Sequence, residues 1–197
     1  LNFQYFLGKI NSNYNAISNT SQYLEDTILK TLNNSKNANE DINQRFGFRL
    51  KWRIDSLSSI DFTPSYTHRN RTGIVSLYSE SGTNFDSLLN NSINAQDKQS
   101  IENIYEYQLN YNRSFKKKNG AIFISHSFTL NSVNDNFQND AFSTFFKGTI
   151  QTTELNQLRN QSNDNLNSGL FFSGNLKLNK KVNFRFSNSF YVFKNNN

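Results

Sequence analysis

The feature that most constrains the fold is the alternation of apolar and polar residues in the segment 43–66, NQRFGFRLKWRIDSLSSIDFTPSY. Successive side chains of a β-strand point to opposite faces. The segment therefore predicts a strand with one apolar face and one cationic face. The apolar set is Phe46, Phe48, Leu50, Trp52 and Ile54, and the cationic set is Arg45, Arg49, Lys51 and Arg53.

The same period of two recurs in pairs of segments joined by short turns. The first pair is 43–54 with 60–70, the second is 101–115 with 121–130, and the third is 166–178 with 182–193. The opening segment 3–17 adds one further strand. Template matching of this kind gives about seven strands and predicts an all-β, antiparallel sheet.

Long polar segments rich in Asn, Ser and Asp separate these pairs, at 18–42, 79–100 and 131–165. Their turn-forming composition predicts loops. One stretch, SQYLEDTILKTL, has helix-like spacing at Leu24, Ile28 and Leu32 and predicts a short helix in the first loop. Short turns at one end and long loops at the other are typical of an outer-membrane barrel.

The composition agrees with a thin apolar layer around a wet interior. Only 35% of the residues are hydrophobic, whereas 15% are aromatic. Soluble globular chains have roughly 45–50% apolar residues, and disordered chains are poor in aromatics. A solid core would need more apolar residues than this chain has.

The cationic stripe indicates which face meets water. Like charges side by side on a strand are destabilising unless water or acidic neighbours screen them, and a wet lumen containing Asp61 and Glu106 would provide both. The apolar residues are then expected to face lipid. Aromatic girdles at the two membrane interfaces are expected at Trp52 and Phe62 beside the first turn, and at Tyr105 and Tyr107 near the opposite end of their strand.

The stretch RLKWRIDSLSSIDFTPSYTHRN resembles the outer-membrane β-barrel family of Bacteroidetes that is related to TonB-dependent transporters, and NYNRSFKKKNGAIFISHSFTLN is similar to that family's next hairpin. The matching residues are Asp55, Ser56, Leu57, Phe62 and Pro64. The resemblance implies a large barrel, usually preceded by a plug-like domain that is not visible here. Pro removes a ladder donor, so we expect a β-bulge at Pro64.

No chemistry of an enzyme is indicated. The sequence has two histidines, His68 and His126, and no Cys. A zinc site needs several His, Cys or acidic ligands that converge, and the sequence shows no such cluster. Ser125 and Ser127 adjoin His126 and would lie on the opposite strand face from it, so no nucleophile–base pair forms. Binding of single-stranded nucleic acid needs cations and aromatics on one face, and here they alternate. The sequence predicts no enzyme activity, no cofactor and no nucleic-acid partner.

The sequence therefore predicts that residues 1–197 are part of a single transmembrane β-barrel domain in the outer membrane of a Gram-negative bacterium. The chain has no Met, which indicates a piece of a longer protein. By resemblance, the barrel moves a solute across the membrane, with outer-membrane lipid, a TonB system and a surface lipoprotein as partners, the last two through regions outside this chain. Two alternatives stay open: a surface binding or structural barrel without transport, and a soluble β-sandwich adhesin.

Overall fold

A computed structural model describes residues 1–24, 26–83, 88–116, 120–177 and 182–196. They form one antiparallel sheet of seven strands in which each strand pairs with the next along the chain. The predictions of an all-β class and of seven strands are confirmed. The strands are β1 (Asn2–Leu24), β2 (Thr27–Arg53), β3 (Ser58–Thr83), β4 (Leu88–Phe115), β5 (Gly120–Phe145), β6 (Gln151–Lys177) and β7 (Asn183–Asn196).

The strand register divides the side chains between two faces. Leu50 is paired with Phe62, and Phe62 is paired with Leu109, so the apolar sets of β2, β3 and β4 share one face. Lys51 is paired with Asp61 on the opposite face of the sheet. We call these the aromatic face and the charged face. A line of directly paired residues across the sheet is called a row.

The prediction of long polar loops is wrong. Segments 18–42, 79–100 and 131–165 lie largely within strands, and β1 and β2 are separated by only two residues. Strands of 23 to 28 residues reach about 90 Å at roughly 3.4 Å per residue. Asn and Ser do not prevent this, because the ladder is made by backbone groups, and both side-chain directions here lead to solvent.

The short helix predicted around Leu24, Ile28 and Leu32 is also wrong. Leu24 ends β1, and the other two residues lie in β2, while Glu25 falls outside the described residues. A spacing of four is a multiple of the strand period of two as well as one turn of a helix. Ile28 and Leu32 therefore share a strand face, and the pattern did not discriminate between the two structures.

The β-bulge expected at Pro64 is absent. Pro64 is paired with Tyr107 in regular register with β4. Towards β2, the pairs Gly47–Ser65 and Leu50–Phe62 keep one register, and the pairing between them lapses. The sheet thus accommodates the missing N–H by omitting ladder bonds without inserting a residue. The register shift recorded between β3 and β4 lies instead at Ser81 and Gly82.

The sheet is a single open layer whose edges are β1 and β7. Within the described ranges, only consecutive strands contact one another. No apolar side chain of these residues is buried, and the buried polar side chains are Ser58 and Asn139. In the same part of the chain, no helix is long and apolar enough to cross a membrane.

Candidate functional site

An apolar band occupies the end of the aromatic face that is nearest the β2–β3 turn. It includes all the residues predicted as lipid-facing: Phe46, Phe48, Leu50, Trp52, Phe62, Tyr105 and Tyr107. The remaining positions of the band on strands β2 to β5 are Ile60, Pro64 and Tyr66 of β3, Leu109 and Tyr111 of β4, and Ile122, Ile124, His126, Phe128 and Leu130 of β5.

Aromatic rings connect the strands of the band. The ring centroids of Phe48 and Phe62 are 6.0 Å apart, those of Phe62 and Tyr107 are 5.9 Å apart, and those of Tyr107 and Phe128 are 5.3 Å apart. These distances lie within the 4.5–7 Å typical of interacting ring pairs. A chain of ring contacts therefore crosses from β2 to β5 on one face of the sheet.

The band ends abruptly at a polar row. Beyond Tyr66 and Tyr105 the next paired residues on this face are His68 and Asn103. The Tyr66 hydroxyl donates a hydrogen bond to Asn103 Oδ1 at 2.8 Å, and His68 Nδ1 lies 2.8 Å from the same oxygen. Tyr66 thus has a polar partner at its hydroxyl and an aromatic neighbour, Tyr105, at its ring, which is the environment expected of an interface girdle.

His126 lies within the apolar band, paired with Leu109 of β4. Its Nε2 is 3.1 Å from Ser168 Oγ on β6, and its ring centroid is 5.5 Å from that of Tyr107. The imidazole is therefore satisfied by a neighbouring strand. Among the described residues, no group of three or more His, Cys, Asp or Glu side chains could hold a metal ion.

The opposite face carries the predicted cationic stripe. Arg45, Arg49, Lys51 and Arg53 alternate with the band residues of β2 and share the charged face. Arg49 donates through Nε to Asp61 Oδ1 at 2.9 Å and through Nη2 to Asp61 Oδ2, which makes a bidentate pair. Asp61 supplies the compensation expected from the sequence.

The charged face also brings in ionic residues that sequence reasoning missed. Arg69 and Glu102 form an ion pair of 2.9 Å between β3 and β4, and Arg71 and Asp41 form one of 3.3 Å between β3 and β2. The signal was available, because Arg69 and Arg71 have the same odd parity as Asp61 along β3. Arg69 and Glu102 lie in segments that the sequence predicts as strands, whereas Asp41 lies in the segment 18–42 that it predicts as a loop.

An open groove of about 840 Å³ lies on the charged face between β1 and β4. Arg45 and Arg49 of β2, Arg69 of β3 and Glu106 of β4 contribute its charged side chains. Gly47 lies in the middle of its floor, where an added Cβ would be 3.3 Å from the Pro64 carbonyl oxygen. The groove is therefore shallow, with a glycine at its base. It is surrounded by three guanidinium groups, one carboxylate and several hydroxyls.

The β2–β3 turn is held by Asp55. Its Oδ1 accepts a hydrogen bond from the Leu57 backbone N–H at 2.6 Å, and its Oδ2 accepts one from the Ser58 hydroxyl at 3.2 Å. These contacts, the Leu57 N–H first, hold the pKa of the Asp55 carboxyl below its ordinary value, because they stabilise the charged form. The turn is thus an Asx-type structure with a charged acceptor.

Comparison with known proteins gives only distant likenesses. No family model matches the chain, so the predicted Bacteroidetes relationship finds no support there, and no curated protein matches it. Among solved structures, the ferric-catecholate import receptor Fiu from E. coli K12 has a TM-score of 0.19 at 8% identity, covering 89% of this chain and 46% of the receptor. This chain thus spans about half the length of that receptor.

Two further solved structures are similar at the same level. The CymD monoaromatic hydrocarbon channel has a TM-score of 0.16 at 8% identity, covering 95% of this chain and 84% of the channel. The membrane pore complex of pneumolysin has a TM-score of 0.16 at 7% identity, covering 98% of this chain and 45% of that chain. At TM-scores this low, none of these likenesses identifies the fold or the function of the chain.

Proposed function

We infer that the chain forms part of an outer-membrane β-barrel that passes a solute, with the apolar band against lipid and the charged face towards a wet lumen. The observation that carries this proposal is the sharp division of the aromatic face into an apolar band and a polar remainder. Tyr66 and Tyr105 form an aromatic pair on this face, and two residues further along each strand the next pair, His68 and Asn103, is polar.

The height of the band suits a bilayer. On β5 the apolar positions run from Ile122 to Leu130, which is nine residues, and on β3 and β4 the band spans seven residues, from Ile60 to Tyr66 and from Tyr105 to Tyr111. A tilted strand needs about 9–11 residues to cross the hydrocarbon region. A band of this height on strands three times as long supports a membrane as the partner, because a soluble sheet has no reason to restrict its apolar residues to one slab.

The band is also uncovered within the described residues. A β-sandwich would pack a second sheet about 10 Å above it, whereas the seven strands here form one layer. Phe46 is 46% exposed, Trp52 57% and Tyr105 47%. Contiguous apolar patches of this kind mark an interaction with a membrane or a partner, which favours the barrel over the sandwich alternative.

The band crosses the strands obliquely. Phe186 of β7 lies in the row of Ser58, on the turn side of the β3 band, whereas Leu7 of β1 lies in the row of His68, beyond its other end. The apolar positions therefore shift along the register from one edge of the sheet to the other. Strands tilted in a bilayer produce such a shift, because a flat slab intersects successive strands at different heights.

The first test is extraction of the complete protein from cell membranes with and without detergent. We expect recovery only in detergent, β-type circular dichroism and a gel band that shifts on heating. Recovery as a monomer without detergent would contradict the proposal and favour the sandwich.

Passage of solute is tested in planar bilayers. Arg49→Glu together with Arg53→Glu reverses two charges on the proposed lumen face and should shift the ion selectivity of the complete barrel towards cations. Lys30→Glu on the aromatic face of the same strand is the matched control and should leave selectivity unchanged. Equal shifts in both variants would contradict the assignment of the lumen face.

Energised uptake would require a plug domain, a TonB system and a surface lipoprotein acting through regions outside this chain, and these belong to the same proposal. The alternative of a surface binding or structural barrel is favoured by one observation, the extension of the strands beyond the band. An upstream plug domain in the full reading frame would favour transport over that alternative.

A further inference from the structure

The groove on the charged face contains one cation and one anion that lack an ion-pair partner among the described residues. Arg49 is paired with Asp61, and Arg69 is paired with Glu102. That leaves Arg45 on one wall of the groove and Glu106 on the other. The residual charges of the groove are therefore opposite in sign and separate in position.

The two residual charges are held apart by the strand between them. Arg45 belongs to β2 and Glu106 to β4, and β3 lies between with Ser65 and Thr67 in the facing positions. Two strand spacings amount to about 9.6 Å and the two rows are about 6.8 Å apart along β3, so the backbones at Arg45 and Glu106 are about 12 Å apart. The Ser65 hydroxyl donates to Glu106 Oε2 at 3.3 Å, which ties the carboxylate to the floor of the groove.

The floor leaves room for a ligand. Gly47 has no side chain, and its neighbours across β3 are the small residue Ser65 and, one step further, Thr67. The space of about 840 Å³ falls within the roughly 300–1,000 Å³ of typical small-molecule sites. A larger residue at position 47 would occupy the line that joins the two walls.

We propose that this groove binds a zwitterionic solute, such as a short peptide, with its carboxylate on Arg45 and its ammonium group on Glu106. A guanidinium recognises a carboxylate through two parallel hydrogen bonds, and a carboxylate accepts from an ammonium group. An extended peptide spans about 3.5 Å per residue, so a tripeptide matches the distance between the walls. The inference rests on the proposed function, in which this face lines a water-filled passage.

The test uses the complete protein in detergent, with trialanine as the probe in titration calorimetry. We expect trialanine to bind, and we expect amidation of its carboxylate or acetylation of its amine to weaken binding by about tenfold each, the usual loss for one charged hydrogen-bonding partner. Arg45→Gln should abolish the effect of amidation alone. Glu106→Gln should abolish the effect of acetylation alone.

Lys98→Gln is the matched control, because Lys98 lies on the same face but outside the groove, paired with Gly73 and Phe137. It should change the affinity for trialanine by less than about twofold. Absence of trialanine binding, equal binding of the capped peptides, or equal losses in Arg45→Gln and Lys98→Gln would overturn the inference. Detergent dependence and the heat-shifted gel band of the same preparation report on the barrel itself, so the two proposals fail separately.

Discussion

Tyr66 and Tyr105 face each other across β3 and β4 with ring centroids 4.8 Å apart, and they form the last aromatic pair before the aromatic face becomes polar. Asn103 Oδ1 accepts a hydrogen bond from the Tyr66 hydroxyl. Asn103 and His68 form the first polar pair beyond it. A change in side-chain character thus coincides with a change from ring packing to hydrogen bonding. On the proposed barrel, the Tyr66–Tyr105 row marks the edge of the hydrocarbon layer.

Removing the Tyr66 hydroxyl should weaken that edge. Tyr66→Phe keeps the ring contact with Tyr105 and deletes one hydrogen bond, so we expect a loss of about 1 kcal/mol in the free energy of unfolding. Urea titration of the detergent-folded protein, followed by circular dichroism, measures it. Tyr5→Phe is the control, because Tyr5 lies in the same row but is 67% exposed. Equal effects of the two variants would show that the hydrogen bond contributes nothing.

A charge within the band should be costly, and the same charge outside it should not. Leu109→Arg places a guanidinium on the aromatic face within the band, where we expect a loss of about 2–4 kcal/mol in lipid. Ile93→Arg makes a similar change on the same strand and face, beyond the band, and should cost less than about 0.5 kcal/mol. The measurement is folding equilibrium in lipid vesicles. Similar costs for both variants would show that the apolar band does not lie in the hydrocarbon region of a bilayer.

The turn carboxylate should give a defined pH dependence. Because the pKa of folded Asp55 is lowered, its contribution to stability is complete above the unfolded pKa of about 3.9 and declines as the pH falls through the folded value. The difference in melting temperature between the wild type and Asp55→Ala should therefore be constant from about pH 7 to 5 and decrease below about pH 4. A difference that grows on acidification would contradict the assigned hydrogen bonds.

Two glycines on the sheet should respond differently to an added methyl group. At Gly120 a Cβ would lie 2.7 Å from the backbone oxygen of Asn175, so Gly120→Ala should destabilise the sheet by about 1–3 kcal/mol. At Gly73 the nearest atom is the side-chain Oδ1 of Asn39 at 2.8 Å, which can rotate away. Gly73→Ala should therefore be tolerated, and thermal melting of the two variants compares them. Equal melting temperatures would show that the Asn175 backbone yields.

The sequence predicted the band and the cationic stripe because period-two alternation is a local property. Once Phe46 and Arg49 are assigned to a strand, their faces follow from the pleat. It did not predict that the Asn-rich segments continue the strands, since Asn and Asp are depleted from strands on average. The backbone hydrogen bonds that join the strands do not depend on side-chain composition.

The groove could be predicted only in part. Arg45 and Arg49 were recognised from their own strand, but their partners depend on register. Register determines that Asp61 meets Arg49 and that Glu102 meets Arg69, and therefore which charges are left unpaired. Pairing between strands is a tertiary relationship, and the alternation within one strand does not contain it.

The continuation of the strands beyond the band has a consequence for how this protein can change in length. Neither face of that portion is apolar enough to penalise a shifted register, so a slip or deletion of two residues returns every side chain to its original face. Removing two consecutive residues from each of two paired strands, at facing positions, would shorten a hairpin by about 7 Å and leave the apolar band untouched. On the proposed barrel, the distance from the bilayer to the hairpin tips is thus adjustable in steps, independently of the apolar band.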